Sequence, residues 1–77
     1  MIIYFEDLNL KQLRVIKGLS QEEVAKYIGL KKQSYNLSEW GKRKFKVDEV
    51  EKMSSLFNVP INTLNSIIKN KNKNKFK

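Results

Sequence analysis

Each of the three glycines in this chain closes a stretch of helically spaced apolar residues, and that punctuation confines the fold to short helices. The clearest case is Ser20 to Lys32, SQEEVAKYIGLKK. Ser-Gln-Glu-Glu is a capping box, in which the Ser20 hydroxyl and the Glu23 carboxylate satisfy orphan amides reciprocally. Val24, Ala25 and Ile28 supply a buried stripe, and Gly29 stops the helix in a left-handed conformation that residues with side chains adopt reluctantly. Leu30 then turns inward and the paired Lys31 and Lys32 open a new helix.

The same reading extends in both directions. Leu10, Leu13 and Ile16 fall at helical spacing behind an Asn9 cap, with Gln12 three residues on, and Gly18 ends that first helix. A third helix is predicted from about Lys32 to about Glu39, closing near Gly41. After the basic loop KRKFK, the positions Val47, Val50, Met53, Leu56 and Phe57 predict a fourth helix ending near Asn58. Pro60 suits the first turn of a fifth, whose apolar face is Ile61, Leu64, Ile67 and Ile68. The expected fold class is all-α, a compact five-helix bundle. Residues 1–69 form its single domain and 70–77, a Lys/Asn alternation with nothing to bury, a disordered basic tail.

At 77 residues there is little room for a catalytic cleft. The absence of Cys and His removes thiol nucleophiles, imidazole bases, disulfide staples and the usual zinc ligands together. The chain is therefore expected not to be an enzyme and to need no metal or cofactor. No apolar run approaches a membrane span, and no basic leader precedes MIIYF, so a cytoplasmic location without membrane contact is expected. Tyr4 and Phe5 in that opening segment read as a flap over the bundle or as a dimer arm.

Sixteen Lys plus Arg against eight Asp plus Glu give a net charge of +8, which suits a polyanionic partner. Five of the lysines lie in the terminal KNKNKNKFK, so residues 1–68 hold 11 basic against 8 acidic groups. More telling are two clusters in the body, Lys31 with Lys32 and Lys42, Arg43, Lys44 with Lys46. They bracket the third helix. Two short helices joined by a glycine-containing turn make a helix-turn-helix, whose second helix presents side chains to the major groove of double-stranded DNA. Here Tyr35 anchors that helix from within, while Lys32, Gln33, Asn36 and Leu37 face outward near its start.

At this point the chain resembles the Xre-type helix-turn-helix family, which includes phage Cro proteins and phage repressors. LKQLRVIKGLSQEEVAKYIGL is similar to the family's first two helices and turn, SEWGKRK to its Glu-x-Gly-Lys-Arg signature, and MSSLFNVPINTL to its fourth helix and the entry to its fifth. The resemblance implies the lambda repressor-like DNA-binding domain fold. It further implies that Gln21 binds a backbone phosphate, and that Lys32, Gln33, Ser34, Asn36 and Leu37 read bases and phosphates; Lys31, from the basic cluster, is expected to join them at the DNA. Lys42, Arg43 and Lys44 would clamp the backbone, and Arg14 would pair with Glu39 to link the first helix to the third. Family members commonly bind palindromic operators as dimers, and Ile61, Leu64, Ile67 and Ile68 are the expected interface, centred on Ile67 and Ile68.

Two positions depart from the family pattern: Ser38 stands where a buried aliphatic residue is usual, and Leu37 where a polar one is usual. Either the third helix rotates slightly, or Trp40 folds back to fill the space, or Leu37 points outward toward thymine methyl groups. The expected function is a sequence-specific transcriptional regulator of the phage or mobile-element repressor kind. A rival is a protein-binding module, such as an antitoxin or anti-repressor partner, in which the helix-turn-helix is mainly scaffold and the fifth helix with MIIYF is the working surface. A nonspecific RNA binder is a third reading, with few aromatics near the basic region to support it.

Overall fold

The computed structural model describes residues 8–70. Five helices run in chain order: α1 Leu10–Ile16, α2 Gln21–Ile28, α3 Lys32–Trp40, α4 Val47–Phe57 and α5 Ile61–Lys69. They make the expected all-α five-helix bundle, with α2 packed on α3 and α4, and α4 on α5.

Local chemistry sets the helix ends. Asn9 and Gln12 cap α1 reciprocally, each backbone N–H donating to the other's side-chain oxygen at 2.9 Å. At α2 the Ser20 N–H donates to Glu23 Oε1 at 2.8 Å and the Glu23 N–H to Ser20 Oγ at 3.0 Å. Gly29 follows at φ 84°, and its chain reversal lets the Leu30 N–H reach back to the Ala25 carbonyl at 2.8 Å. Asn58, the only described non-glycine residue with positive φ, closes α4 in the same way.

The core contains Leu10 and Leu13 from α1, Val24, Ala25 and Ile28 from α2, Tyr35 from α3, Val50, Met53 and Phe57 from α4, Val59, and Leu64 and Ile67 from α5. Two residues of the stripes expected for α1 and α4 are excluded from it. Ile16 and Val47 are both exposed, Val47 at 76%. A strict every-third repeat such as 10-13-16 or 47-50-53 falls behind the helix by about 60° per step, so its end members rotate out of the buried stripe. The same arithmetic brings Arg14 and Glu49 in, and both are buried.

The expected dimer stripe on α5 needs correction. Leu64 and Ile67 are fully buried in the protein's own core, and Ile68 packs partly against it. Only Ile61 stays exposed. The expectations for Tyr4 and Phe5 and for residues 71–77 lie outside the described residues. Asn70, assigned to the tail on charge pattern, belongs to the body: it caps α5, and its Nδ2 donates to the Leu8 carbonyl at 2.9 Å.

Candidate nucleic-acid interface

Three core-facing residues orient α3. Tyr35 is fully enclosed, Ser38 points inward and Glu39 is buried between α1 and α2. Ser38 is thus the inward residue and Leu37 the outward one, without help from Trp40, which is more than half exposed. The hydroxyl of Ser38 accepts from Arg43 Nη1 at 2.8 Å, so a polar pair stands where a family member has an aliphatic plug.

Glu39 is the hub that holds this orientation. Arg14 Nε donates to its Oε2 at 2.8 Å and Arg14 Nη2 to its Oε1 at 3.4 Å. The Tyr35 hydroxyl donates to Oε2 at 2.8 Å, and Gln21 Nε2 to Oε1 at 2.8 Å. Arg14 also donates through Nη1 to the Leu19 carbonyl at 2.9 Å, fixing the turn between α1 and α2. Burial, with the Glu39 carboxylate close by, raises the Tyr35 phenol far above its ordinary value, so it serves as a permanent donor. Among the described residues no buried side-chain nitrogen or oxygen lacks a partner, so the network is fully satisfied.

The outward surface follows from this anchoring. Lys31, Lys32, Gln33 and Leu37 are exposed, and Ser34 and Asn36 are half-buried beside them. At about 100° per residue, Gln33 and Leu37 lie one turn apart opposite the buried side. Asn36 is tied to the scaffold, because its Oδ1 accepts from Gln21 Nε2 at 2.8 Å, which leaves its own amide hydrogens available. Gln21 therefore gives both Nε2 hydrogens to neighbours inside the protein. Its side chain is thus committed to the scaffold, and its backbone N–H lies in the first turn of α2.

Arg43 is where the structure departs most from expectation. Instead of standing free beside Lys42 and Lys44, its guanidinium forms a two-pronged pair with Glu49, Nη1 to Oε1 and Nη2 to Oε2, both at 3.1 Å. Glu49 also accepts from the Lys46 N–H at 2.9 Å, capping α4. Burial alone would raise the Glu49 carboxyl, but the Arg43 and Lys46 contacts outweigh it and hold it below the usual carboxylate range. Lys42 and Lys44 remain exposed.

Sequence reasoning missed two residues. Glu49 was signalled by its place three residues after the helix-entry residue Lys46, the position of a reciprocal cap. Lys11 lines a polar groove with Arg14, Ser20, Gln21, Glu22 and Lys32, at the junction of α1 with the starts of α2 and α3. Its position one turn before Arg14 was the available signal.

A helix-turn-helix family model matches residues 10–71. The chain belongs to the Xre-type helix-turn-helix family. The cryptic phage CTXphi transcriptional repressor RstR of Vibrio cholerae is 42% identical over 52 residues, which is 68% of this chain and 47% of that protein. The chain thus spans about half the length of this relative. No helix among the described residues is long and apolar enough to cross a membrane.

Proposed function

We propose that this helix-turn-helix protein is a sequence-specific, double-stranded DNA-binding transcriptional repressor, acting as a homodimer on a palindromic operator and occluding a promoter. The observation that carries the reading is the exposed face of α3, held rigid by the Glu39 hub and flanked by Lys11 and Lys32 on one side and the Lys42/Lys44 loop on the other. Gln33, Asn36 and Leu37 read bases. The lysines and the α2 start hold phosphates and set the register. The naming of the Vibrio cholerae relative as a phage transcriptional repressor supports repression as the outcome.

A single short recognition helix reads only a few base pairs, and pairing two copies one helical turn apart multiplies specificity. With Leu64 and Ile67 spent on the core, the surface proposed for pairing moves to the junction of α4 and α5. There Val47 and the 41%-exposed Ile61 flank a groove shared with Phe45, Val50 and Asn65, and Ile68 continues it.

Selection of bound duplexes from a random pool, followed by binding at several salt concentrations, tests the proposal. The expected result is an enriched palindrome whose affinity falls steeply with salt as counterions are released. Sedimentation of Ile61→Asp on that duplex should show loss of the second protomer. Failure to enrich any sequence would overturn specific DNA binding, and one protomer per palindrome in the wild type would overturn the dimer.

A further inference from the structure

Leu37 is an anomaly for a small polar surface. It is 44% exposed and is not one of the buried residues of the core. Its place is not slack, because the four side-chain hydrogen bonds converging on Glu39 lock the rotation of α3. Nor can Ser38 exchange with it, since the Ser38 hydroxyl is bound to Arg43. The backbone is equally committed: the Leu37 carbonyl accepts from the Lys42 N–H at 2.9 Å. An apolar side chain is therefore held in the middle of the outward face, one turn after the exposed amide of Gln33. Trp40, also exposed, sits at the far end of α3, away from the helix start that enters a groove.

Resting on the DNA-binding reading above, we infer that Leu37 recognises the 5-methyl group of a thymine in each half-site. Among the base edges in the major groove, the C5-methyl of thymine is the one protruding apolar group; apart from the small C5–H of cytosine, the rest are hydrogen-bond donors and acceptors that leucine cannot satisfy. Docking α3 without such a methyl would leave Leu37 against polar edges and strand their hydrogen bonds. Docking with it removes two apolar surfaces from water together. Gln33, one turn nearer the helix start, then reads the hydrogen-bonding pattern of an adjacent base pair, so the two residues divide the half-site between polar and apolar readout.

The probe is the duplex recovered by selection, resynthesised with deoxyuridine replacing thymine one position at a time, which removes the methyl and leaves every hydrogen-bonding group. Wild-type protein should lose roughly three- to fivefold in affinity at one position per half-site, the value of burying one such carbon. Leu37→Ala should bind the unmodified duplex more weakly by a similar factor and respond to deoxyuridine at that position by less than about 1.5-fold, scaled against the same carbon. Melting of Leu37→Ala should stay close to wild type, since the side chain is 44% exposed and lies outside the buried core. Equal deoxyuridine losses for wild type and Leu37→Ala would overturn the assignment, as would a wild type indifferent to every substitution. Either result leaves specific DNA binding standing, whereas failure to recover any duplex removes the underlying reading.

Discussion

The two arginine–glutamate pairs near the C-terminal end of α3 look alike on paper and differ in kind. Arg14 and Glu39 are 25 residues apart and join α1 to α3, with side chains only 10% and 2% exposed. Arg43 and Glu49 are six residues apart and staple the loop after α3 to the first turn of α4, with Arg43 a quarter exposed. In the first pair the carboxylate gathers donors from three helices. In the second the guanidinium gathers acceptors from one loop's surroundings, Ser38 and Glu49. The first pair aims the recognition helix; the second fastens the loop that follows it.

The largest effect expected from this contrast is on folding stability. Glu39→Ala strands the Arg14 guanidinium, the Tyr35 hydroxyl and the Gln21 amide at once, and should cost about 3–5 kcal/mol in urea melts. Combining it with Arg14→Met should recover part of the loss, because the apolar stem packs without a charge to solvate. Glu49→Ala should cost less, between the ~0–1 kcal/mol of an exposed pair and the buried figure, because Arg43 can turn to water. Equal losses at the two sites would erase the distinction.

Acid sharpens it further. The folded Glu49 carboxyl titrates below its unfolded value, so the stability it contributes is present above the ordinary carboxylate range and is lost as pH falls through the lower, folded value. Melts taken at falling pH should therefore show a shallower loss in Glu49→Gln than in wild type. Parallel curves would mean that Arg43 does not hold Glu49 in solution.

The smallest effects separate Arg43 from its lysine neighbours. Lys42→Ala and Lys44→Ala should each lower the salt slope of DNA binding by about 1, with stability within about 0.5 kcal/mol of wild type. Arg43→Met should do the reverse, lowering stability and leaving the slope unchanged. A lowered slope in Arg43→Met would return that residue to the phosphate clamp.

Where the sequence was legible, the information was local. Ser20 with Glu23, Asn9 with Gln12 and Gly29 state their roles within four residues, and the observed helix ends follow them. The Arg14–Glu39 link spans 25 residues and was readable only through resemblance to a family. Within the site, the outward placement of Gln33 and the inward placement of Tyr35 followed from helical spacing around one anchor. Arg43 was not legible, because three consecutive basic residues look equivalent until the fold brings a carboxylate to one of them. Ile16 and Val47 were misplaced because counting apolar residues in threes ignores the 3.6-residue turn. The Leu64 and Ile67 stripe on α5 was sound as a stripe. How much of it the core would consume depends on Val59, Phe57 and Leu8 arriving from elsewhere.

The uneven wiring of the α3 surface has a consequence for how such a protein diversifies. No side-chain hydrogen bond holds Gln33 or Leu37, while Asn36 is joined through Gln21 to the Glu39 hub. Substitutions at 33 and 37 therefore break no side-chain hydrogen bond of the scaffold, and those at 36 do. On the proposed reading of α3, a lineage carrying this fold changes its target by drifting at two positions, while the third holds the helix in register.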